Sequence, residues 1–168
     1  MERPSCETRN RVHGSNLCVY DPLTVDFGKN VTIEYFVEIQ DHCVIGNHVT
    51  IRSFCRIGHG CRIGEHSTLK NGVILSPDIY VGPHVFIAPN VVFMNDQQKD
   101  SAGTAVLAHV FIGTGAIIAP GVTIDEHCFI AAGTHVNRDC ESGKAYGGVP
   151  MRELSKSGPE MKRRVFGV

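Results

Sequence analysis

The chain has 168 residues, the length of one domain, with 16 Lys and Arg against 17 Asp and Glu. That balance leaves no electrostatic footprint for nucleic acid or an anionic membrane as partner. No run approaches the ~18 apolar residues of a spanning helix, and MERPSCETRNRVHG lacks the apolar stretch of a signal peptide. A cytoplasmic protein is therefore expected.

Residues 1–18 are polar and aperiodic and read as an N-terminal arm, with coils expected over 19–138 and a C-terminal cap and tail over 139–168. From Phe27 a large apolar residue recurs every six positions through Ile33, Ile39, Ile45, Ile51, Ile57, Ile63, Leu69, Leu75, Val81, Ile87 and Phe93. Four places after each stands a smaller inward candidate, among them Val31, Cys43, Cys55, Cys61, Ser67 and Val85. A period of six fits neither a 3.6-residue helix nor plain strand alternation. It fits short strands that turn a corner and coil as a solenoid, with the i and i+4 side chains inside. Asn or Gly stands at many of the implied corners, at Asn30, Gly60, Gly72, Asn90, Gly115, Gly121 and Gly133, where the backbone must enter a region most residues resist.

Four of the seven cysteines (Cys43, Cys55, Cys61, Cys128) fall on the inward i+4 position, where a thiol is a small apolar filler. There is no CxxC pair, so no structural zinc site is expected, and an odd count of seven in a cytosolic chain points to reduced thiols.

After Phe93 the register lapses in MNDQQKDSAGTA and returns as Val106, Ile112, Ile118, Ile124, Ile130 and Val136. Phe93 and Val106 are thirteen positions apart, two hexads plus one. Either one residue bulges or about seven are extruded. The polarity of 94–105 favours an extruded loop, because such residues cannot fill inward positions. The choice has a consequence for histidine. His48, His66 and His84 recur every third hexad at one corner, and His109 and His127 join their column only if seven residues are extruded.

The runs IGNHVTI, IGHGCRIGEH and IAPGVTIDEHCFIAAGTHV resemble the hexapeptide-repeat acyltransferases over roughly residues 25–154. The resemblance implies an all-β fold, a left-handed parallel β-helix of three hexads per coil, usually trimeric with sites between subunits. Within the group, FMNDQQ resembles the F-T-N-D segment of bacterial nucleotide-sugar 3-N-acetyltransferases, with Met94 in place of Thr. By that likeness Asn95 lies at the sugar amine as a catalytic and substrate-binding residue, with Asp96 beside it. The end of the chain, THVNRDCESGKAYGGVPMREL, resembles the family's closing pattern through Arg138, Pro150 and Arg152. It departs from that pattern at Gly148, Val149 and Met151. Arg138 and Arg152 are thereby implicated in holding acetyl-CoA.

Acyl transfer from a thioester needs a neutral amine, stabilisation of an oxyanion, and a leaving thiolate. Backbone N–H groups near Gly113, Ala131 and Ala132 are candidates for the oxyanion or the pantetheine arm. A desolvated amine is a good nucleophile without a strong base. Family O-acetyltransferases carry a His in or beside the loop, and residues 94–105 contain none, which favours an amine acceptor. His84 and His109 are the nearest candidates for an assisting base across a trimer interface.

Three alternatives stand beside this reading. One is O-acetylation of a saccharide or serine hydroxyl. Another is a γ-type carbonic anhydrase, against which the sequence has no H-x-x-x-x-H pair, and no metal is expected. The last is a non-catalytic assembly module.

Overall fold

The computed structural model describes residues 11–12, 18–19, 23–95, 103–149 and 151–167. Almost every strand is two residues long, and the strands stack coil upon coil into three sheets of nine, seven and six strands, parallel except for the last pair of the first sheet. The first side is typified by Thr32–Ile33, the second by Glu38–Ile39 and the third by Val44–Ile45. Each strand presents one residue inward and one outward, as the alternation of Cβ directions requires.

Every large hexad residue from Ile33 to Phe93 and from Val106 to Val136 is buried, and so are the small i+4 partners. Interior size alternation lets neighbouring coils interlock. The coils are tied by amides such as Gly46 N–H to Ile63 C=O at 2.7 Å and Gly64 N–H to Val81 C=O at 2.6 Å. Ser67, an interior polar residue, donates its hydroxyl to Gly82 C=O at 2.8 Å and accepts from Val85 N–H at 3.0 Å. It thus satisfies the rule that buried polar groups are hydrogen-bonded.

All seven predicted Asn and Gly corners have positive φ. The same conformation is imposed on Phe36, His42, His48, Phe54, His66, Asp78, His84, His109 and His127. For a bulky residue it carries a strain of ~1–2 kcal/mol. Phe36 and Phe54 offset part of this by stacking at 5.2 Å between ring centroids.

The chain departs from the sequence reading at its start, and at its end the expected cap is joined by a helix that the reading did not include. Arg11–Val12 pairs with Thr32–Ile33, and Cys18–Val19 pairs with Glu38–Ile39, so strands begin inside the segment read as a polar arm. At the far end Met151 and Tyr146 join Cys140 in the interior and close its open end. The helix Gly158–Phe166 does something else. It lies on the outer face of the first side, where Met161 and Leu154 pack against Phe86, Phe111 and Phe129. Its start is fixed by a capping box between Ser157 and Glu160, and its end by Gly167 at φ 71°.

Register resolves the break after Phe93. Ile63 pairs across adjacent coils with Val81, three hexads on, whereas Val81 pairs with Val106, three hexads and seven positions on. Seven residues are therefore extruded, at the corner between the second and third sides. As a result the histidine column is continuous. The His48, His66, His84, His109 and His127 rings stack at 4.6, 5.0, 4.9 and 4.9 Å with nearly parallel planes.

Candidate active site

The three sides meet at three corners, and the site residues sort among them. The corner between the third and first sides carries the histidine column, including His84 and His109. The corner between the second and third carries Asp41, His42, His59, Asp78 and Asn95, and the extruded loop leaves from it. The corner between the first and second carries Phe36, Phe54, Gly72, Asn90, Gly115 and Gly133.

Asn95 lines a groove of about 250 Å³ on the second side, together with Gln40, Arg56, Gly58, Ile74, Leu75, Ser76 and Pro77. Its floor is firm. Ser76 donates its hydroxyl to Phe93 C=O at 2.7 Å, tying the coil before Asn95 to the groove wall. Arg56 projects outward from its strand and its Nε donates to Glu38 Oε1 at 3.2 Å. Gln40 Oε1 accepts the His59 N–H at 2.9 Å, and the His59 ring meets Asp41 Oδ1 through Nδ1 at 2.9 Å. The bond to Asp41 raises the His59 pKa above the usual imidazole value, and the same bond lowers that of Asp41. Asp96 lies outside the described residues.

The residues implicated with a cofactor fall in two places. Gly113, Ala131 and Ala132 lie in successive coils where the first side runs into its corner with the second. A Cβ on Gly113 would stand 2.5 Å from Ala132 N and 2.7 Å from the Ala131 carbonyl carbon. The stacking of the next coil thus by itself requires glycine there. Arg152 is brought beside this group, since Arg152–Glu153 pairs antiparallel with Tyr146–Gly147, and Ala131 N–H donates to Tyr146 C=O at 2.9 Å. Arg138 is not in this group. It is exposed near the corner between the second and third sides, next to Asp139, whose Oδ1 accepts Thr123 N–H at 2.7 Å. The second side is therefore bounded by Asn95 at one corner and by Gly113, Ala131 and Ala132 at the other.

His84 and His109 do not meet Asn95 within one chain, because a whole six-residue side, roughly 20 Å of extended chain, separates their corners. His109 is also drawn into the contact with the C-terminal helix, where Lys162 Nζ donates to its carbonyl oxygen. Burial first, then the charges of His127, His84 and Lys162, hold its imidazole below the ordinary pKa, which favours the neutral form. Among the described residues no three His, Cys, Asp or Glu converge as metal ligands. No helix among them is long and apolar enough to cross a membrane.

His59, Asp41, Arg56 and Gln40 escaped the sequence reading. His59 lies eleven positions after His48, out of phase with the three-hexad column, and the hexad rule is silent about outward side chains. Projecting positions three hexads apart would have placed Gln40, Gly58 and Ser76 in one row and shown what flanks Asn95.

Comparison with known proteins agrees with this architecture. The bacterial transferase hexapeptide family (six repeats) matches residues 25–59, 60–95 and 103–138. The chain belongs to that family. Among solved structures it is similar to a point mutant of AntD, an N-acyltransferase from Bacillus cereus, in complex with dTDP-4-amino-4,6-dideoxyglucose and coenzyme A. The TM-score is 0.57 at 18% identity, over 95% of this chain and 91% of that one. It is likewise similar to a maltose O-acetyltransferase from Clostridium difficile 630, with TM-score 0.57 and 23% identity over 80% of this chain and 71% of that one. A third similar structure is the hexapeptide-repeat acetyltransferase VCA0836 from Vibrio cholerae O1 biovar eltor, complexed with acetyl-CoA. There the TM-score is 0.53 at 29% identity over 61% of this chain and 63% of that one. No curated protein sequence matches the chain at a significant level.

Proposed function

We propose that the protein is an acetyl-CoA-dependent transferase that acetylates the amino group of a nucleotide-linked amino sugar, in the cytoplasm, as a step toward surface polysaccharide. The observation that carries the reading is the groove on the second side, where Asn95 stands at the foot of the extruded loop. The acceptor lies in that groove with its amine at Asn95, and Asp96 follows on the loop. Acetyl-CoA approaches from the later coils along the corner of Gly113, Ala131 and Ala132, with Arg138 and Arg152 available to its phosphates. The likeness to AntD, crystallised with an amino sugar nucleotide and coenzyme A, supports this choice of substrates.

The reaction asks little of a base. The amine, neutral once out of water, attacks the thioester carbonyl. Amide N–H groups stabilise the oxyanion, and the departing thiolate takes the ammonium proton. The reading includes a homotrimer in which a neighbouring copy brings His84 or His109 toward the groove, since neither reaches it from the same chain. Thiol release from acetyl-CoA, followed across a panel of dTDP- and UDP-linked amino sugars, tests the reading. Release that depends on one of them is expected, and silence across the panel overturns it.

A second reading places a saccharide or serine hydroxyl in the groove. His109 favours it, because an imidazole kept neutral can accept the hydroxyl proton. The double variant H84A/H109A then loses turnover with hydroxyl acceptors, and an unchanged rate counts against it.

A further inference from the structure

Arg56, which lines the groove, and His59, at the corner beside it, have the same construction. Arg56 and His59 sit three positions apart in one coil, and each is held from behind by a carboxylate. Glu38 takes the Arg56 Nε at 3.2 Å, which leaves the terminal Nη pair of the guanidinium as a fork. Asp41 takes the His59 Nδ1 at 2.9 Å, which leaves Nε2 for another partner. Among the described residues, Glu38 is the hydrogen-bond partner of the Arg56 side chain and Asp41 that of the His59 ring. The backbone beneath is fixed too, since Gln40, itself a groove residue, accepts the His59 N–H.

Arg56 and Asn95 line the same groove two coils apart, about 10 Å along the coil axis at the usual strand spacing, with Asn95 three residues, about another 10 Å, further along the side. Less the reach of the Arg56 side chain across that diagonal, the gap left suits one pyranose ring and its glycosidic phosphate.

We propose that Arg56 and His59 form the anion end of the acceptor groove and grip the phosphate of a nucleotide-linked sugar whose far side reaches Asn95. The inference rests on the acceptor reading given above. A guanidinium with a free fork matches phosphate geometry, and charge-assisted hydrogen bonds of this kind are the strong ones. The carboxylates of Glu38 and Asp41 are already engaged, and Asp78 stands nearby on the next coil, its N–H donating to His59 C=O at 2.8 Å. Three carboxylates against Arg56 and His59 leave no positive surplus at the corner. The site recognises one phosphate group through directed donors and does not attract polyanions in general.

The groups facing the His59 ring are Asp41, His42 and Asp78. Asp41 in particular keeps the imidazole protonated to higher pH than a free histidine. Phosphate binding therefore weakens as pH rises through that raised pKa, while the Arg56 contribution persists.

Titration calorimetry with UDP and with dTDP, at about pH 6 and about pH 8.5, reads the two contributions separately. R56A is expected to weaken nucleoside diphosphate binding about tenfold or more at both pH values. R56K, which keeps the charge and loses the fork, recovers only part of that. H59A weakens binding several-fold at the lower pH and less at the higher, and R62A, on the third side, has no effect at either. Binding by R56A and H59A equal to that of the unaltered protein overturns the proposal, as does failure of the unaltered protein to bind either nucleotide. Loss of nucleotide affinity in R56A without any thiol release leaves the anion site standing and removes the acetyl-transfer reading. Thiol release that R56A does not alter has the opposite meaning.

Discussion

The corner of His48, His66, His84, His109 and His127 and the corner of Asp41, His59 and Asn95 flank the same side of the coil, yet they are built on opposite plans. At the first, five coils in succession put an imidazole in the same left-handed backbone conformation, and the rings stack with no interruption. At the second, His42, Gly60 and Asp78 follow one another, a seven-residue extrusion breaks the row, and Gly121 resumes it. Uniformity suits a structural edge, where each ring covers the one before. Irregularity makes recesses and brings unlike groups together, which is what a binding site needs. The groove and the His59–Asp41 pair are at the irregular corner.

The interior beneath both corners is the same, and that can be tested with the largest effects. Ile57 underlies the coil of His59 and Ile63 the coil of His66, and both are fully buried. Replacing either by Ala is expected to cost about 2–5 kcal/mol by equilibrium denaturation. Both losses should fall in that range, and a loss well below it at either position would show that the interior there is looser than its burial implies.

Backbone strain separates the corners next. His66→Asn keeps a residue suited to positive φ and is expected to change stability by well under about 1 kcal/mol beyond the lost stacking. His66→Val, β-branched in the same conformation, is expected to cost about 1–2 kcal/mol more than Asn. Thermal or denaturant midpoints of the two variants decide it. Equal midpoints would show that the corner tolerates any residue.

Acid sharpens the contrast, because the two corners respond in opposite directions. His109 has a lowered folded pKa, so the unfolded chain binds its proton more readily and stability falls as pH drops through the ordinary histidine range near ~6.5. His59 has a raised folded pKa. Its contribution is full below ~6.5 and is lost as pH rises through the folded value. In denaturation curves across that range, H109N should become relatively more stable than the unaltered protein as pH falls. H59N should become relatively less stable over the same interval. Parallel pH profiles for both variants would contradict the assignment.

The smallest effect concerns the thiols inside. Burial pushes Cys55 and Cys128 up to about 11 and Cys61 and Cys140 up to about 12. Alkylation of these four under native conditions at mild alkaline pH should be slow, and rapid only after denaturation. Fast native labelling of Cys61 would show that the core opens.

The interior was legible because each inward position is a large residue followed four places later by a small one, a constraint every coil repeats. Ile57 and Cys61 declare themselves from spacing alone. The first coil was hidden because its pairings miss the three-hexad step that the coils from Phe27 to Phe93 keep. Val12 lies three positions too far from Ile33, and Val19 two too far from Ile39. The site was legible only where it broke the pattern, at Asn95 and the loop. Arg56, Gln40, Asp41 and His59 stayed out of view because outward residues are free of packing constraints. Only the stacking of coils brings Gln40, Gly58, Ser76 and Asn95 onto one groove. The regular histidines drew notice by recurring, and recurrence is the mark of a structural edge.

The most direct measurement compares the corners in the reaction itself. Acceptor-dependent thiol release is followed for the unaltered protein, for N95A and for H84A/H109A, each checked for a cooperative unfolding transition. With an amino sugar nucleotide, N95A is expected to lose about 100-fold in kcat/KM and the double histidine variant less than about 10-fold. A full rate in N95A with turnover abolished in H84A/H109A would contradict the account and move the chemistry to the histidine corner.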